Sequence, residues 1–105
     1  MRHAKYNAKK VEYNGIVFDS KRECERYKVL KEKEDKGEIH DLQLQVPYTL
    51  LHKTKKTRAT VYYADFVYFE NGERVVEDVK GYRTDTYLLK RKMLYVLLGI
   101  EVREV

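Results

Sequence analysis

The stretch VVEDVKG, residues 75–81, places three charged side chains among the valines of a β-strand. β-Branched residues favour strands. Glu77, Asp78 and Lys80 are costly in a buried strand unless they are paired or bind a metal ion. Side chains alternate along a strand, so Asp78 and Lys80 point to one face and Glu77 to the other. The stretch therefore predicts a strand over residues 74–80 that carries a polar site.

A second strand, TVYYADFVYFE at residues 60–70, precedes it and carries one acid in its centre. The Asn71-Gly72 dipeptide between the two is a strong hairpin signal, so the strands should be antiparallel neighbours. Pairing about the midpoint of this turn places Asp65 opposite Asp78, with Cβ atoms about 5 Å apart. The hairpin thus predicts that two carboxylates meet across a sheet.

Two facing carboxylates repel each other unless a positive charge compensates them. Lys80 can compensate one of them, and a divalent cation can bridge both, because Mg²⁺ takes carboxylate and water oxygens. The alternative is a surface cluster held by salt bridges, and a register slip of one residue would separate the acids. The pattern predicts a magnesium site and leaves that alternative open.

The remaining sequence predicts the other elements of one domain over residues 1–105. Asn14-Gly15 indicates a small hairpin at 11–18, and Asp19-Ser20 offers the N-cap of a helix over 21–36 that ends at Gly37. Further elements are a strand at 42–51 with Pro47 marking an edge or a bend, a helix at 84–98 ending at Gly99, and a strand at 100–105. The order favours an α/β fold with a mixed central sheet.

The composition excludes several classes of protein. No apolar run approaches the roughly 18 residues of a membrane helix, and the N-terminus lacks the apolar core of a signal peptide, which predicts an intracellular protein. Cys24 is the only cysteine, so no internal disulfide can form, and we expect it to lie in the core.

The net charge of +5 is unevenly distributed. Basic residues cluster in the N-terminal arm at 1–10, at 52–58 and at 80–92, whereas the acids lie mainly at 23–38 and 70–78. Segregated basic segments indicate a polyanion partner such as nucleic acid, and solvated surface lysines are the alternative. The side chains expected to contact nucleic acid are Lys9, Lys10, Lys53, Lys55, Lys56, Arg58, Arg83, Lys90 and Lys92, with Tyr82 as a further candidate.

The order of elements, with Asp65 and then Asp78-Val79-Lys80 on consecutive strands, resembles the PD-(D/E)XK nuclease superfamily. The segments YNGIVFDSKRECERYKVL, GEIHDLQLQVPYTLL, YYADFVY and VVEDVKG are similar to a small phage-encoded family within it, related to Holliday-junction resolvases and transposon-end nucleases. The resemblance spans nearly the whole chain and implies a restriction-endonuclease-like fold with a helix-strand-strand-strand-helix-strand core.

The resemblance also implies a role for each matching residue. Asp65 and Asp78 would be catalytic metal ligands, with the backbone carbonyl of Val79 completing the shell, and Lys80 would be the motif lysine. Glu23, in SKRE, would be the helix glutamate that joins the metal ligands. Gln45, in QVP, matches a glutamine near the first strand of the transposon-end relatives. Ala64 stands where the motif has proline.

Some residues keep an alternative interpretation. Ser20-x-x-Glu23 is also a capping box, in which Glu23 bonds back to the backbone of Ser20. Glu25 is a weaker candidate for the helix acid, because it is expected to face water. Glu77 is expected to be a solvated or partly paired acid on the face opposite Asp78.

These features together predict a metal-dependent endodeoxyribonuclease that uses Mg²⁺ or Mn²⁺, with branched or junction DNA as its substrate in phage recombination or replication. The resemblance further implies a homodimer and a phage- or prophage-encoded protein in the cytoplasm of a bacterial host. The alternative is a non-catalytic DNA-binding protein on a nuclease fold.

Overall fold

The structure, a computed structural model, describes residues 9–105, so positions 1–8 of the predicted basic arm lie outside the described residues. Its elements follow the predicted order. They are β1 (Val11–Tyr13), β2 (Ile16–Phe18), α1 (Lys21–Asp35), β3 (His40–Leu51), β4 (Thr60–Glu70), β5 (Glu73–Asp78), α2 (Asp85–Leu98) and β6 (Val102–Glu104).

The main sheet has the order β3-β4-β5-β6, and β1 and β2 form a separate antiparallel hairpin. The pairs β3-β4 and β4-β5 are antiparallel, whereas β5-β6 is parallel. The prediction of an α/β fold with a mixed sheet is therefore confirmed. Pro47 lies on β3, which is an end strand, as its missing N–H requires.

The predicted strand at 74–80 is shorter in the structure, because β5 ends at Asp78. Beyond β5 the parallel pairing continues as single bonds, since the Val105 N–H donates to the Asp78 carbonyl and the Lys80 N–H donates to the Val105 carbonyl. Val79 and Lys80 therefore leave the regular sheet directly after Asp78, at the mouth of the predicted site.

The two Asn-Gly turns have the backbone that their sequence predicts. Asn14 and Asn71 have φ values of 57° and 54°, and the glycines that follow both have φ of 79°. A tight hairpin of this kind needs two residues with positive φ, a conformation that Asn and Gly adopt most readily. The second turn fixes the register between β4 and β5.

Each helix packs on one side of the sheet. Tyr27 and Leu30 of α1 pack with Phe66, and Tyr87 and Leu94 of α2 pack with a second cluster that includes Ala64. Cys24 is buried in the α1 cluster, which confirms its predicted place in the core. Within residues 9–105, no helix has the length and apolar character needed to cross a membrane.

The strands β3 and β4 exchange faces halfway along. Residues two apart normally share a face, yet Leu44 packs with the α1 cluster and Val46 with the α2 cluster. Phe66 and Ala64 divide in the same way on β4. The exchange occurs at Gln45, whose φ of 51° is in the left-handed region. It leaves Gln45 and its neighbour on β4, Asp65, at a break in the pleat.

Glu104 joins β6 to α2. Its Oε1 accepts hydrogen bonds from Arg83, at 2.6 Å from Nη2, and its Oε2 accepts from the Tyr87 hydroxyl and from Arg91, each at 2.6 Å. The hydrogen bonds from Arg83 and Tyr87 lower the pKa of Glu104 from 4.5 to about 2. The carboxylate therefore stabilises the fold through its charge.

Glu104→Gln is expected to lower the free energy of unfolding at neutral pH by about 1–2 kcal/mol, after allowing for solvent screening of the arginines. A carboxylate with a lowered folded-state pKa stabilises the protein above its unfolded pKa of 4.5, and this is lost as the pH falls through about 2. Urea unfolding of both proteins should therefore converge as the pH falls through that window. Glu38→Gln is the control, since Glu38 is exposed and has no ion pair in residues 9–105. A deficit equally large below pH 2 would contradict the charge-based account.

Candidate functional site

Asp65 and Asp78, the two carboxylates predicted to face each other, lie at the end of the paired segment of β4 and β5. The last ladder pair is Phe66 with Glu77, which is the predicted register. One residue further, the Asp65 N–H donates to Asp78 Oδ1 at 3.2 Å, and the Val79 N–H donates to Asp65 Oδ2 at 2.9 Å. The carboxyl group of each aspartate therefore bonds to the backbone of the opposite strand.

Glu23 approaches this pair from the first turn of α1. Its N–H donates to Ser20 Oγ at 3.1 Å, and its Oε1 accepts from the Asp19 N–H at 3.2 Å. Glu23 thus caps the helix, although its carboxylate bonds to the backbone of Asp19 and not of Ser20. Its other oxygen, Oε2, accepts from Gln45 Nε2 at 3.1 Å. One carboxylate serves the helix cap and the acidic cluster together.

Gln45 connects the acids, because its Nε2 also donates to Asp65 Oδ1 at 3.2 Å. Its left-handed backbone costs on the order of 1–3 kcal/mol for a residue other than glycine. That conformation coincides with the exchange of faces in β3, which aims the amide at both carboxylates. The structure brings together Glu23, Gln45, Asp65 and Asp78, and we call these four residues the acidic cluster.

Two carboxyl groups of the acidic cluster, those of Glu23 and Asp78, are costly to ionise. Burial, together with the nearby charge of Asp65, raises the pKa of Glu23 to about 7. Burial raises the pKa of Asp78 to about 6, against the opposing effect of Lys80. Both carboxyl groups resist ionisation, and a bound cation would relieve that resistance.

Asp78 Oδ2 is the clearest sign of a missing partner. The side chain is 1% exposed, and its buried Oδ2 has no hydrogen-bond partner among residues 9–105. Carboxylate oxygens are the ligands that Mg²⁺ prefers, so the donor set fits such an ion chemically. In residues 9–105, however, no group of three or more His, Cys, Asp or Glu side chains is arranged so that it could already hold a metal ion. Side-chain rotation would be needed.

Lys80 lies beside the acids in a depression that Glu23, Asp65 and Val79 also line. Its charge lowers the pKa of Asp78, and its Nζ lies 4.3 Å from the centroid of the Tyr87 ring. Because Tyr87 is bonded to Glu104, the ring that holds the ammonium group is itself fixed. Lys80 therefore has the predicted place next to Asp78, with an aromatic support that the sequence did not indicate.

Arg22 was not predicted, yet it lines the same depression as Glu23 and Lys80. Its side chain is near Gly81, since a Cβ built there would lie 3.6 Å from the Arg22 guanidinium. No ion pair involves Arg22 in the part of the chain that the structure describes. The sequence feature that could have indicated Arg22 is its position directly before Glu23, in the first turn of the helix that begins at the site.

Of the two alternatives expected for Glu77, solvated or partly paired, the structure shows the paired one. Glu77 does point away from Asp78, but it is fully buried and not solvated. Arg26 of α1 binds it in a bidentate pair, with Nε to Oε1 at 2.9 Å and Nη2 to Oε2 at 2.7 Å, and the Tyr68 hydroxyl also donates to it. The side chain is buried because α1 covers this face. Glu25, by contrast, is exposed and pairs with Lys28.

The predicted DNA-binding cations divide into free and engaged groups. The loop at 52–59 between β3 and β4 is exposed, and its cations form no ion pair in the described range; they are Lys53, Lys55, Lys56 and Arg58. Arg83 pairs with Glu104, Lys10 with Asp19 at 2.9 Å, and Lys90 donates to the Val61 carbonyl at 2.9 Å. Lys9 and Lys92 are exposed. Tyr82 lines the depression beside the acids and is 60% exposed.

Comparison with known proteins gives a family but no activity. A family model described as "Protein of unknown function (DUF1064)" matches residues 3–101. No curated protein matches the chain. The crystal structure of protein VC1899 from Vibrio cholerae is similar over 90% of this chain and 28% of its own, with 18% identity and a TM-score of 0.46. A likeness of that size supports no argument about function.

Proposed function

We propose that the chain, which belongs to the DUF1064 family, is a metal-dependent endodeoxyribonuclease. The observation that supports this most is the acidic cluster beside Lys80, in which a buried Asp78 oxygen has no partner within the described residues. A structural cluster of acids would satisfy that oxygen with a donor from the protein, because a buried polar atom without a partner is costly. A site that completes itself with a cation and a phosphate group leaves it open.

The metal would be held by Asp65, Asp78 and Glu23, with the Val79 carbonyl as a further ligand. Bound Mg²⁺ or Mn²⁺ would supply a water of lowered pKa and positive charge beside the scissile phosphate. Gln45 would keep Glu23 and Asp65 together while their oxygens turn towards the ion. The raised pKa values of Glu23 and Asp78 support this, since a cation favours their ionised forms.

Lys80 would act as a positive charge and not as a proton acceptor. Its ammonium group lies on the same depression as Glu23 and Asp65 and over the Tyr87 ring, so it suits orienting a water and stabilising the charge that develops on the phosphate. Arg22, on the same depression, can bind a phosphate oxygen through its planar guanidinium. The chain therefore supplies two cations at the site besides any metal.

The exposed cations of the loop at 52–59 would bind the DNA backbone outside the site, because phosphate contacts provide most of the affinity for DNA. The proposal also includes branched or junction DNA as the substrate and a homodimer that cuts two strands. It further includes a role in a phage that infects a bacterial host. These follow from the resemblance to resolvases.

The test is cleavage of labelled four-way junction, flap and linear duplex DNA in Mg²⁺, Mn²⁺ or EDTA. Wild type is compared with Glu23→Gln, and Glu25→Gln is the matched control on the same helix. We expect metal-dependent cutting that Glu23→Gln reduces by at least about 100-fold and that Glu25→Gln leaves unchanged. If no substrate were cut in either metal, the proposal that the protein is a nuclease would be rejected.

A second candidate is a DNA-binding protein that does not cut. It is favoured by the absence, in residues 9–105, of acids already arranged to hold a metal, and by the position of Lys80 over Tyr87. This protein would bind DNA equally in Mg²⁺ and in EDTA, and Glu23→Gln would bind like wild type. Metal-dependent cutting would reject it.

Arg22→Ala is expected to lower the cleavage rate by about 10–100-fold at saturating DNA, because it removes a charge that acts on the phosphate. Stability should change by less than about 0.5 kcal/mol, since Arg22 is exposed. Single-turnover cleavage and thermal unfolding measure the two effects. Lys21→Ala, an exposed cation one residue earlier on α1, is the control. An equal loss in both variants would indicate general attraction of DNA and not a place in the site.

A further inference from the structure

Helix α2 carries apolar side chains on its outward side as well as on the side that the sheet covers. Nine of its 14 residues are apolar, yet only Tyr87 and Leu94 are buried. Leu89 and Val96 lie about 200° around the helix from those two residues, and they are 58% and 67% exposed. A contiguous exposed apolar patch of this kind normally marks a surface that binds a partner. Among residues 9–105, nothing covers the outward side of α2.

This surface continues into a groove beside β6. Leu88 and Tyr95 of α2 form one wall and Ile100 and Val102 the other. We call the outward residues of α2 and this groove the α2 patch; its polar members are Arg91, Lys92 and Glu101. None of them lines the depression that contains Glu23 and Asp65, so covering the patch leaves that depression open.

The area of the patch fits a protein partner. The large apolar residues on the outward side and the flanks of α2 are 36–67% exposed; they are Leu88, Leu89, Tyr95, Val96 and Leu97. Together they expose roughly 500 Å², at about 150–200 Å² for a fully exposed side chain. A standard interface buries about 800 Å² per partner, of which about 65% is apolar in homodimers. The patch supplies nearly all of that apolar share.

The charges on the patch select the partner. Lys92 and Glu101 are both exposed, and neither has an ion pair within residues 9–105. One free cation and one free anion on the same apolar patch suit a two-fold interface, in which each pairs with the opposite charge of the other copy. DNA would be repelled by Glu101, and a strongly acidic or basic peptide would leave one of the two charges opposed.

We propose that a second copy of this chain docks on the α2 patch to form a symmetric dimer, with Lys92 of each copy paired to Glu101 of the other. The proposed nuclease would use such a dimer to cut two strands, but the argument for the surface is separate from catalysis. Leu89 and Val96 would form the centre of the interface, and the Lys92 stem would lie along them while its ammonium group reaches the rim.

The test is sedimentation of the whole chain in EDTA without DNA, so that its outcome is independent of the nuclease proposal. Wild type should be a dimer at about 10–100 µM, and Val96→Glu should raise the dissociation constant at least about 100-fold. Val29→Glu is the matched control, because Val29 is a 44% exposed valine on α1. It should remain dimeric. Wild type that stays monomeric throughout this range would overturn the proposal.

The pairing is tested by exchanging the charges. Lys92→Glu and Glu101→Lys should each weaken the dimer about 10-fold or more, since like charges then meet at both symmetric positions. The double variant should return to near wild-type affinity. If the double variant lost as much dimer affinity as the two single variants together, the proposed pairing of Lys92 with Glu101 would be overturned. If Val96→Glu left the dimer unaffected, the α2 patch would not be the interface.

Discussion

Asp78→Asn is expected to abolish metal-dependent DNA cleavage and, in the same protein, to increase stability at about pH 8 in the absence of metal. Both effects have one cause, which is the burial of a carboxylate that the fold does not satisfy. Asp78 is 1% exposed, and its Oδ2 has no hydrogen bond in the part of the chain that the structure describes. The proposed site needs the negative charge of Asp78 to bind a metal ion, whereas the same charge destabilises the folded protein.

The stability effect follows from the raised pKa. Burial raises the pKa of Asp78 from 3.8 to about 6. A carboxyl group with a raised folded-state pKa binds more protons when folded, so stability rises as the pH falls from above 6 towards 3.8. Asparagine avoids the charge and can still accept from the Asp65 N–H through Oδ1. The new amide group would remain unpaired, so we expect a net gain of only about 1 kcal/mol at pH 8.

Urea unfolding in EDTA across this pH range measures the effect, with the exposed Asp35→Asn as the control. Wild type should become more stable as the pH falls, and the Asn variant less steeply so, because Glu23 still titrates with a pKa of about 7. Cleavage should fall by at least about 1,000-fold. A variant less stable than wild type at pH 8 would show that the carboxylate supports the sheet, which would favour the structural interpretation of the acids.

Arg26→Leu is expected to destabilise the protein by about 3–4 kcal/mol, because it leaves Glu77 charged and buried without a partner. Glu77 is fully buried, and both of its oxygens accept hydrogen bonds from Arg26. Breaking one side of a buried pair costs more than the pair contributes, since the desolvated charge remains. Denaturant unfolding at neutral pH measures the loss.

Two variants separate this cause from a simple loss of packing. Lys28→Leu replaces an exposed cation on the same helix that pairs with Glu25, and it should change stability by less than about 0.5 kcal/mol. Arg26→Leu combined with Glu77→Leu should recover most of the loss, because no buried charge remains. A double variant as unstable as the single one would show that the ion pair is not the source of the effect.

The local sequence determined the elements and the meeting of the aspartates. Asn71-Gly72 fixes a two-residue turn, and a two-residue turn fixes the register, so Asp65 and Asp78 could be placed together from spacing alone. The same reasoning held for the capped start of α1 at Ser20. These features depend on neighbours in the chain, where backbone geometry allows few choices.

The environment of each charge was decided by the tertiary structure. Glu77 and Asp78 have the same local pattern, yet Glu77 is paired with Arg26, 51 residues away on α1. Asp78, by contrast, keeps an oxygen without a partner among residues 9–105. The exchange of faces at Gln45, which joins Glu23 to Asp65, has no marker in the sequence either. Burial and pairing depend on which helix covers which face, and that depends on contacts between segments distant in the chain. The sequence therefore determined where the acids lie, and only the packing of the helices decided which acid was paired and which was left open.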